Sequence, residues 1–506
     1  RLQLRSPPPE GGSSWPNSPP RDTDRTILPP QRFQVLKAIR SLRKTSPGRS
    51  GVPLDVWRTL VTDDEALGII TGLFVECWET NTVPDAWKVA HLIAIYKKHD
   101  PTLAKNYRLI FVEEHLSKAF QHLIKQHLDS HFETIAPEFS NGFRARRGCA
   151  DALFILKQVL RKRKEHGLRS WLLLLDIQRA FDVVPRELLW ACLLKCGVPP
   201  KLVQVLQGLY SDRTAEMSLE GYSQFMTADG GTCQGALLAP RLFSYFIYTI
   251  FEVWMHENPT SATELRYHED PRSRSRAAAI KFFVSLFNVA DDTAAIFDSR
   301  PALERRGLCL IKVLQDFGLQ VHLASAQSIA EGAAPKTAIM HIEPQGPARF
   351  DPVDHQPITV APGFFIPVVD TYTYLGVLLH RSLSDDHEIL VRVQKAQQYF
   401  GSLRKIIFAS RSTHRSTKKI AYEGMVLAVL LYGSEGWILS KISEQRLQTA
   451  HRYMVRTMCG VSMYHTRKYE ILAADLEARL QLRSIRDYIG ARVLGYAGHA
   501  ARMPIT

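Results

Sequence analysis

The chain has 506 residues, 45% hydrophobic and 23% charged, with a formal net charge of +14 and a pI near 9.4. That length allows two or three domains around a sizeable core, and that charge calls for a polyanionic partner such as nucleic acid or an anionic membrane. No apolar run approaches the roughly 18 residues a spanning helix needs, which argues against the membrane. Seven scattered cysteines, odd in number and without zinc spacing, exclude a disulfide framework and read as reduced intracellular thiols. Cys192 and Cys196, four apart in "WACLLKCGV", could share a helix face and read as core.

In chain order, residues 1–30 are rich in Pro, Gly and Ser and are predicted to be disordered. Helical periodicity sets in at Gln31 and runs to residue 84, broken at "TSPGRSGVP" and around Pro84, which predicts a helical N-terminal extension over 31–84. "LRKRKEHG" (160–167) fits a solvated helix end and a nucleic-acid contact equally well. "WLLLLDIQRAFDVVPRELLW" predicts a buried strand from Trp171 to Leu175 ending in Asp176, then a turn and a helix opened by Pro185. In "GGTCQGALLAPRLFSYFIYTIFEVW", Gly230, Gly231 and Gly235 bracket Gln234 at the entry to a long helix whose aromatics are spaced like core. Residues 258–277 and 328–357 read as surface insertions, the second with one short strand, "TAIMHI". After "YTYLGVLL", three basic amphipathic patterns (386–408, 415–432, 443–459) predict a separate helical domain. His91, His115 and His322 lack partners at metal spacing and are assigned no role.

Asp-Asp occurs three times. Asp63-Asp64 and Asp385-Asp386 follow a hydroxyl residue and open helical patterns, where acids suit the N-cap and the helix dipole. Asp291-Asp292, in "FNVADDTAAIF", stands between short apolar segments and predicts a hairpin with the acids at its tip. Adjacent carboxylates raise each other's pKa and are costly to bury, so the pair needs a turn, a cation or both. If Asp176 lies in the same sheet, three carboxylates converge and repel unless divalent metal is present. That donor set suits two-metal phosphoryl or nucleotidyl transfer.

The ordered series "VPDAWKVAHLIAIYKK", "NYRLI", "SNGFRARRGCADALFILKQVL", "LLLLDIQRAFDVVPRELLW", "GGTCQGALLAPRLF", "NVADD", "FGLQVH" and "YTYLGVLL" resembles the reverse transcriptases of non-LTR (LINE-type) retrotransposons, over about residues 36 to 460. "LLYGSEGW" (430–437) resembles the segment after the polymerase core. The resemblance implies an α+β, right-hand polymerase: fingers and a palm with an antiparallel sheet over 85–380, then a helical thumb and C-terminal region over 381–506. It implies an RNA-directed DNA polymerase that transfers nucleotides from dNTPs to the 3′-hydroxyl of a DNA primer on an RNA template. Asp176, Asp291 and Asp292 match the catalytic carboxylates that hold two Mg²⁺ ions, with Mn²⁺ as a substitute. Phe181, five residues after Asp176, matches the aromatic that blocks a ribose 2′-hydroxyl. Gln234 and Gly235 match the pair lining the incoming nucleotide; Lys97, Lys98 and Arg108 resemble basic fingers residues; Gly142, Phe143 and Arg144 match the Gly-Phe-Arg of the template side. Such an enzyme is intracellular, and nuclear when it acts on chromosomal DNA; no targeting signal is visible, and the chain begins without Met.

The departures from the family pattern are local. Val289 stands where an aromatic usually precedes Ala-Asp-Asp, Arg179 replaces a lysine, and Cys233 stands where a base is common. "YRLIFVEE" is expected to bring Glu113 and Glu114 to a cationic surface. The lysine that usually follows "GLQVH" is missing, with Lys336 as its candidate if 325–335 is an insertion. A second reading, a non-catalytic relic or nucleic-acid-binding protein on the same fold, is consistent with these changes.

Overall fold

The computed structural model describes residues 27–97, 100–219, 222–258, 263–267, 280–284, 286–345 and 351–503. The predicted disorder of residues 1–30 falls almost wholly outside them, as do Lys98 and most of the 258–277 segment.

The N-terminal periodicity becomes the helices Arg32–Ser41, Leu54–Leu60 and Asp64–Thr80. Asp63 caps the third, its carboxylate accepting the Ala66 amide at 2.8 Å, which is the role expected of that acid pair. Val35, Ile39, Ile70 and Phe74 join the main core, where Phe74 meets Phe120 of the long helix His115–Ile135 edge to face.

Two sheets position the site. In the first, Tyr107–Val112, Val89–Tyr96, Thr214–Leu219 and Tyr222–Thr227 lie side by side in that order, and only the middle pairing is parallel. The second, with the order Ala338–Ile342, Ser170–Leu175, Asp292–Phe297, Leu286–Val289, is antiparallel throughout. Ser170–Leu175 is buried along its whole length, so its run of leucines needs no alternation. The aromatic helix Ala239–Glu257 is buried as its spacing predicts, and Cys192 and Cys196 are core residues of the same cluster.

The three C-terminal patterns form Asp386–Leu403 continued by a wide turn to Phe408, Arg415–Ala421 continued to Leu430, and Lys441–Cys459. With Ala473–Arg479 and Ile485–Ala501 they enclose a core of their own, centred on Phe400, Tyr422 and Met454. Among the described residues, no helix is long and apolar enough to cross a membrane.

Four expectations are corrected. The 328–357 segment is more than a surface insertion: Ala338–Ile342 is a fully buried edge strand of the second sheet. "LRKRKEHG" is no simple solvated end, because Arg161 and Arg163 are buried and bonded, Arg163 to Ser170 Oγ and Asp298. Asp385 makes no cap bond; its carboxylate receives Lys157, Arg161 at 2.6 Å and the Ile438 amide at 2.7 Å, tying the helical region to the sheet region. Glu113 and Glu114 are buried rather than surface acids, Glu113 paired with Arg213 and Glu114 accepting the Ser50 amide and hydroxyl. In each case at least one deciding partner comes from a segment far away in sequence, which local pattern cannot reveal.

Candidate active site

Antiparallel register sets the central feature. Leu175 pairs with Thr293, so Asp176, one residue beyond its strand, and Asp292, one residue before Thr293, leave the same end of the second sheet. Asp291 belongs to the two-residue turn that closes the Val289–Asp292 pair, and Ala290 there adopts φ +58°, a left-handed conformation rare for a residue with a Cβ. Asn288 supports that turn: its amide donates to the Ala290 carbonyl at 2.9 Å and to Thr293 Oγ1 at 3.0 Å. Burial first, then the charges of Asp291 and Asp176, push the Asp292 carboxyl up to about 6. Asp291 is raised by burial and by Asp176, with Arg108 acting against the shift.

Three residues unassigned or conditional in the sequence stand on Asp176. Lys336 Nζ lies 3.5 Å and His322 Nε2 3.6 Å from its carboxylate, and Lys336 donates to His322 at 3.0 Å. Thr337 Oγ1 accepts the Asp176 amide at 3.2 Å. Between His322 and Lys336, in the stretch whose reading as an insertion Lys336's candidacy depends on, the chain makes a two-residue strand and the short helix Ala326–Ala330. His322 had no signal except its place at the end of "FGLQVH"; the turn that sets it beside Asp176 is a tertiary feature. Tyr372, whose hydroxyl donates to the Lys336 carbonyl, has its pKa raised by burial first and then by the charges of Asp176 and Asp292.

Around these acids the other motifs assemble. Phe181 packs between Phe243, with ring centroids 4.6 Å apart, and Phe143, edge-on at 6.3 Å. Gly231, at φ +69°, approaches so closely that a Cβ would lie 2.7 Å from the Phe181 carbonyl oxygen. Gln234 accepts the Phe111 amide at 2.9 Å through its carbonyl, and a Cβ on Gly235 would fall 2.8 Å from Ile110, so this pair docks on the first sheet. Lys97 and Arg108 stand at the end of the first sheet's hairpin and bear on Asp182, whose pKa burial raises against their pull and that of Arg179. In the Gly142-Phe143-Arg144 loop, Phe143 is 46% exposed whereas Arg144 is turned inward, donating to Glu133 and to the Pro137 and Ser140 carbonyls.

Acids at the end of a buried antiparallel sheet, an aromatic held between two other phenylalanines and a Gln-Gly pair docked on the first sheet are parts of the motif series. The family described as reverse transcriptase (RNA-dependent DNA polymerase) matches residues 95–379, more than half of the chain. The chain belongs to the reverse transcriptase family. It is 25% identical over 456 residues to the RNA-directed DNA polymerase from mobile element jockey of Drosophila melanogaster, covering 88% of this chain and 44% of that protein. It is 26% identical over 218 residues to the Pol polyprotein from the type-2 retrotransposable element R2DM, also of Drosophila melanogaster, covering 42% of this chain and 19% of that protein. A transposon-derived protein of Caenorhabditis elegans is 22% identical over 213 residues, 42% of this chain and 70% of its own length. The chain thus spans less than half the length of jockey's polymerase, and the non-LTR resemblance read from the motifs stands. Among solved structures, apo telomerase from Candida tropicalis superposes with a TM-score of 0.38 at 11% identity, covering 83% of this chain and 70% of the telomerase chain. The reverse transcriptase fold is the right-hand polymerase, and the second, wholly antiparallel sheet is its palm.

The donor chemistry fits divalent metal of the kind the family uses. Asp176, Asp291 and Asp292 offer only carboxylate oxygens, and burial together with the neighbouring charges raises the pKa of the last two, a cost that a hard cation would relieve.

Proposed function

We propose that this chain is an RNA-directed DNA polymerase of a non-LTR retroelement, extending a DNA primer with dNTPs on an RNA template. The observation that carries the reading is the convergence of Asp176, Asp291 and Asp292 at one end of the palm sheet. Two Mg²⁺ ions, or Mn²⁺ in their place, would supply activation of the primer hydroxyl and charge neutralisation at the phosphorus when held by these three acids. In the transfer, the primer 3′-oxygen bonds to the α-phosphorus, the hydroxyl proton passes to solvent, and the bond from the α-phosphorus to the bridging oxygen breaks to release pyrophosphate.

The chain's own groups arrange the reactants. Phe181, fixed by Phe243 and Phe143, lies under the sugar and leaves no room for a 2′-hydroxyl. Gln234 and Gly235 line the base pair being formed, and Lys97 and Arg108 hold the triphosphate. Phe143 and Gly142 face the template, with Arg144 keeping that loop in shape. Lys336 reaches the acids from the side where the family pattern puts a lysine. The separate helical core supports a thumb and C-terminal region over 381–506, beyond fingers and palm over 85–380 and the helical extension over 31–84. Working on chromosomal DNA, the chain would act in the nucleus.

Primer extension by the purified chain tests the reading. Wild-type protein with Mg²⁺ should copy a primed RNA, and Asp291→Asn should lower the rate by about 10²-fold or more while the circular dichroism spectrum stays unchanged. No extension by wild-type protein on any primed RNA or DNA, with either metal, would leave the non-catalytic nucleic-acid-binding reading in its place.

A further inference from the structure

At the other end of the palm sheet, His341 is only 4% exposed, and neither ring nitrogen has a hydrogen-bond partner among the described residues. Most buried polar atoms in folded proteins are paired, and leaving one unpaired costs about 1–3 kcal/mol. His341 is the register partner of Trp171, and their rings stack at 4.1 Å with planes 10° apart, which fixes the imidazole's orientation. Glu343 lies one residue beyond the end of the strand that carries His341. The short helix Pro352–His355 returns His355 to this point. Ligand atoms of His341, Glu343 and His355 all lie within 4.8 Å of one another.

We propose that His341, Glu343 and His355 form a transition-metal site of the zinc class, distinct from the catalytic acids. Two imidazoles and one carboxylate are a nitrogen-rich, borderline-soft set that prefers Zn²⁺ to Mg²⁺. Zinc bonds to such atoms are about 2.0–2.2 Å long, so small side-chain rotations would close the set around one ion. Asp354, itself buried, lies with Oδ2 4.0 Å from His341 Nδ1 and 3.7 Å from Arg169; it is the carboxylate that orients the ring once the ion is bound. Trp171 and Asp176 are five residues apart along one chain, so this site stands about 17 Å from the catalytic acids. Its role is to fasten the returning segment to the palm edge, where Arg300 already bonds the Val353 and Gln356 carbonyls.

The test uses the full chain, stripped with a chelator and equilibrated with Zn²⁺ in excess Mg²⁺, with bound metal measured by mass spectrometry. Wild-type protein should keep one zinc that the double variant His341→Ala, His355→Ala binds about 100-fold more weakly or not at all. Co²⁺ in its place should give visible d–d absorption that the variant lacks. Asp291→Asn should keep both signatures, which separates this site from the polymerase reading. Glu343→Gln, close to isosteric, carries the test if the double variant does not fold: its zinc affinity should also fall. Zinc retention equal in wild type and variants, or no retention by wild type, would overturn the proposal.

Discussion

Gly142 lies so close to Ala290 that a Cβ on it would come within 2.5 Å of the Ala290 amide nitrogen. The contact joins the Gly-Phe-Arg loop to the turn that carries Asp291, and Asn141 and Asn288 reinforce it, the Asn141 amide donating to the Asn288 carbonyl at 2.9 Å. Gly142→Ala must therefore displace a backbone already held at positive φ. The expected result is a loss of about 1–3 kcal/mol in stability and a drop in extension rate larger than that loss explains. Denaturant titration beside primer extension checks it, and full activity in the variant would show that the turn tolerates the push.

Metal-free protein should become less stable as pH rises through about 6. The Asp292 carboxyl is raised to about 6 in the folded chain against about 3.9 unfolded, so the folded state binds more protons between those values. The stabilisation is fully present below the unfolded pKa and is lost as pH climbs through the folded one. Because the group is partly exposed, the difference should be about 1–2 kcal/mol rather than the full shift. Melting curves in chelator from pH 4 to 7.5 should show wild type losing stability relative to Asp292→Asn over that window. Parallel curves for the two would refute the coupling.

Phe181 cannot swing aside, because Phe243 and Phe143 pack on it. Phe181→Ala should open space beneath the sugar and reduce discrimination against ribonucleotides by roughly 10–10²-fold, with dNTP incorporation less affected. Competition between ribo- and deoxynucleotides in single-nucleotide extension measures the ratio; an unchanged ratio would remove Phe181 from sugar selection.

Asp385 is buried between Lys157 and Arg161 and links the helical region to the palm. Asp385→Ala leaves two buried cations without their carboxylate and should cost about 3–5 kcal/mol. Calorimetry of the variant should show the C-terminal helical core melting earlier or separately from the palm; a shift below about 1 kcal/mol would mean that solvent reaches both cations.

Affinity for a primer–template duplex should fall steeply with salt, because the +14 charge acts mainly through phosphates. Asp291→Ala should leave that affinity and its salt slope nearly intact, since the acid makes no phosphate contact. Fluorescence anisotropy at several ionic strengths checks both, and binding indifferent to salt would count against the basic surface as the contact.

The sequence by itself determined what is local in the chain. A leucine run ending in one acid, an apolar hairpin tipped by two, a capped helix at Asp63 and a buried aromatic helix are each written in residues a few positions apart, where periodicity and turn chemistry act directly. Only the tertiary structure decided which distant groups meet. It set Lys336 and His322, fourteen residues apart, on Asp176, and it turned Arg144 inward and Phe143 outward in one loop. It made buried partners of Asp385 and Glu113, acids that look like a cap and a surface charge when read locally. The same holds for His341, placed against Trp171 by strand register and near His355 by a chain reversal. Hydrogen-bond and ion-pair partners brought together by sheet pairing have no fixed sequence spacing, so no local pattern announces them; the acids of the palm were legible because the strands that carry them end in charge.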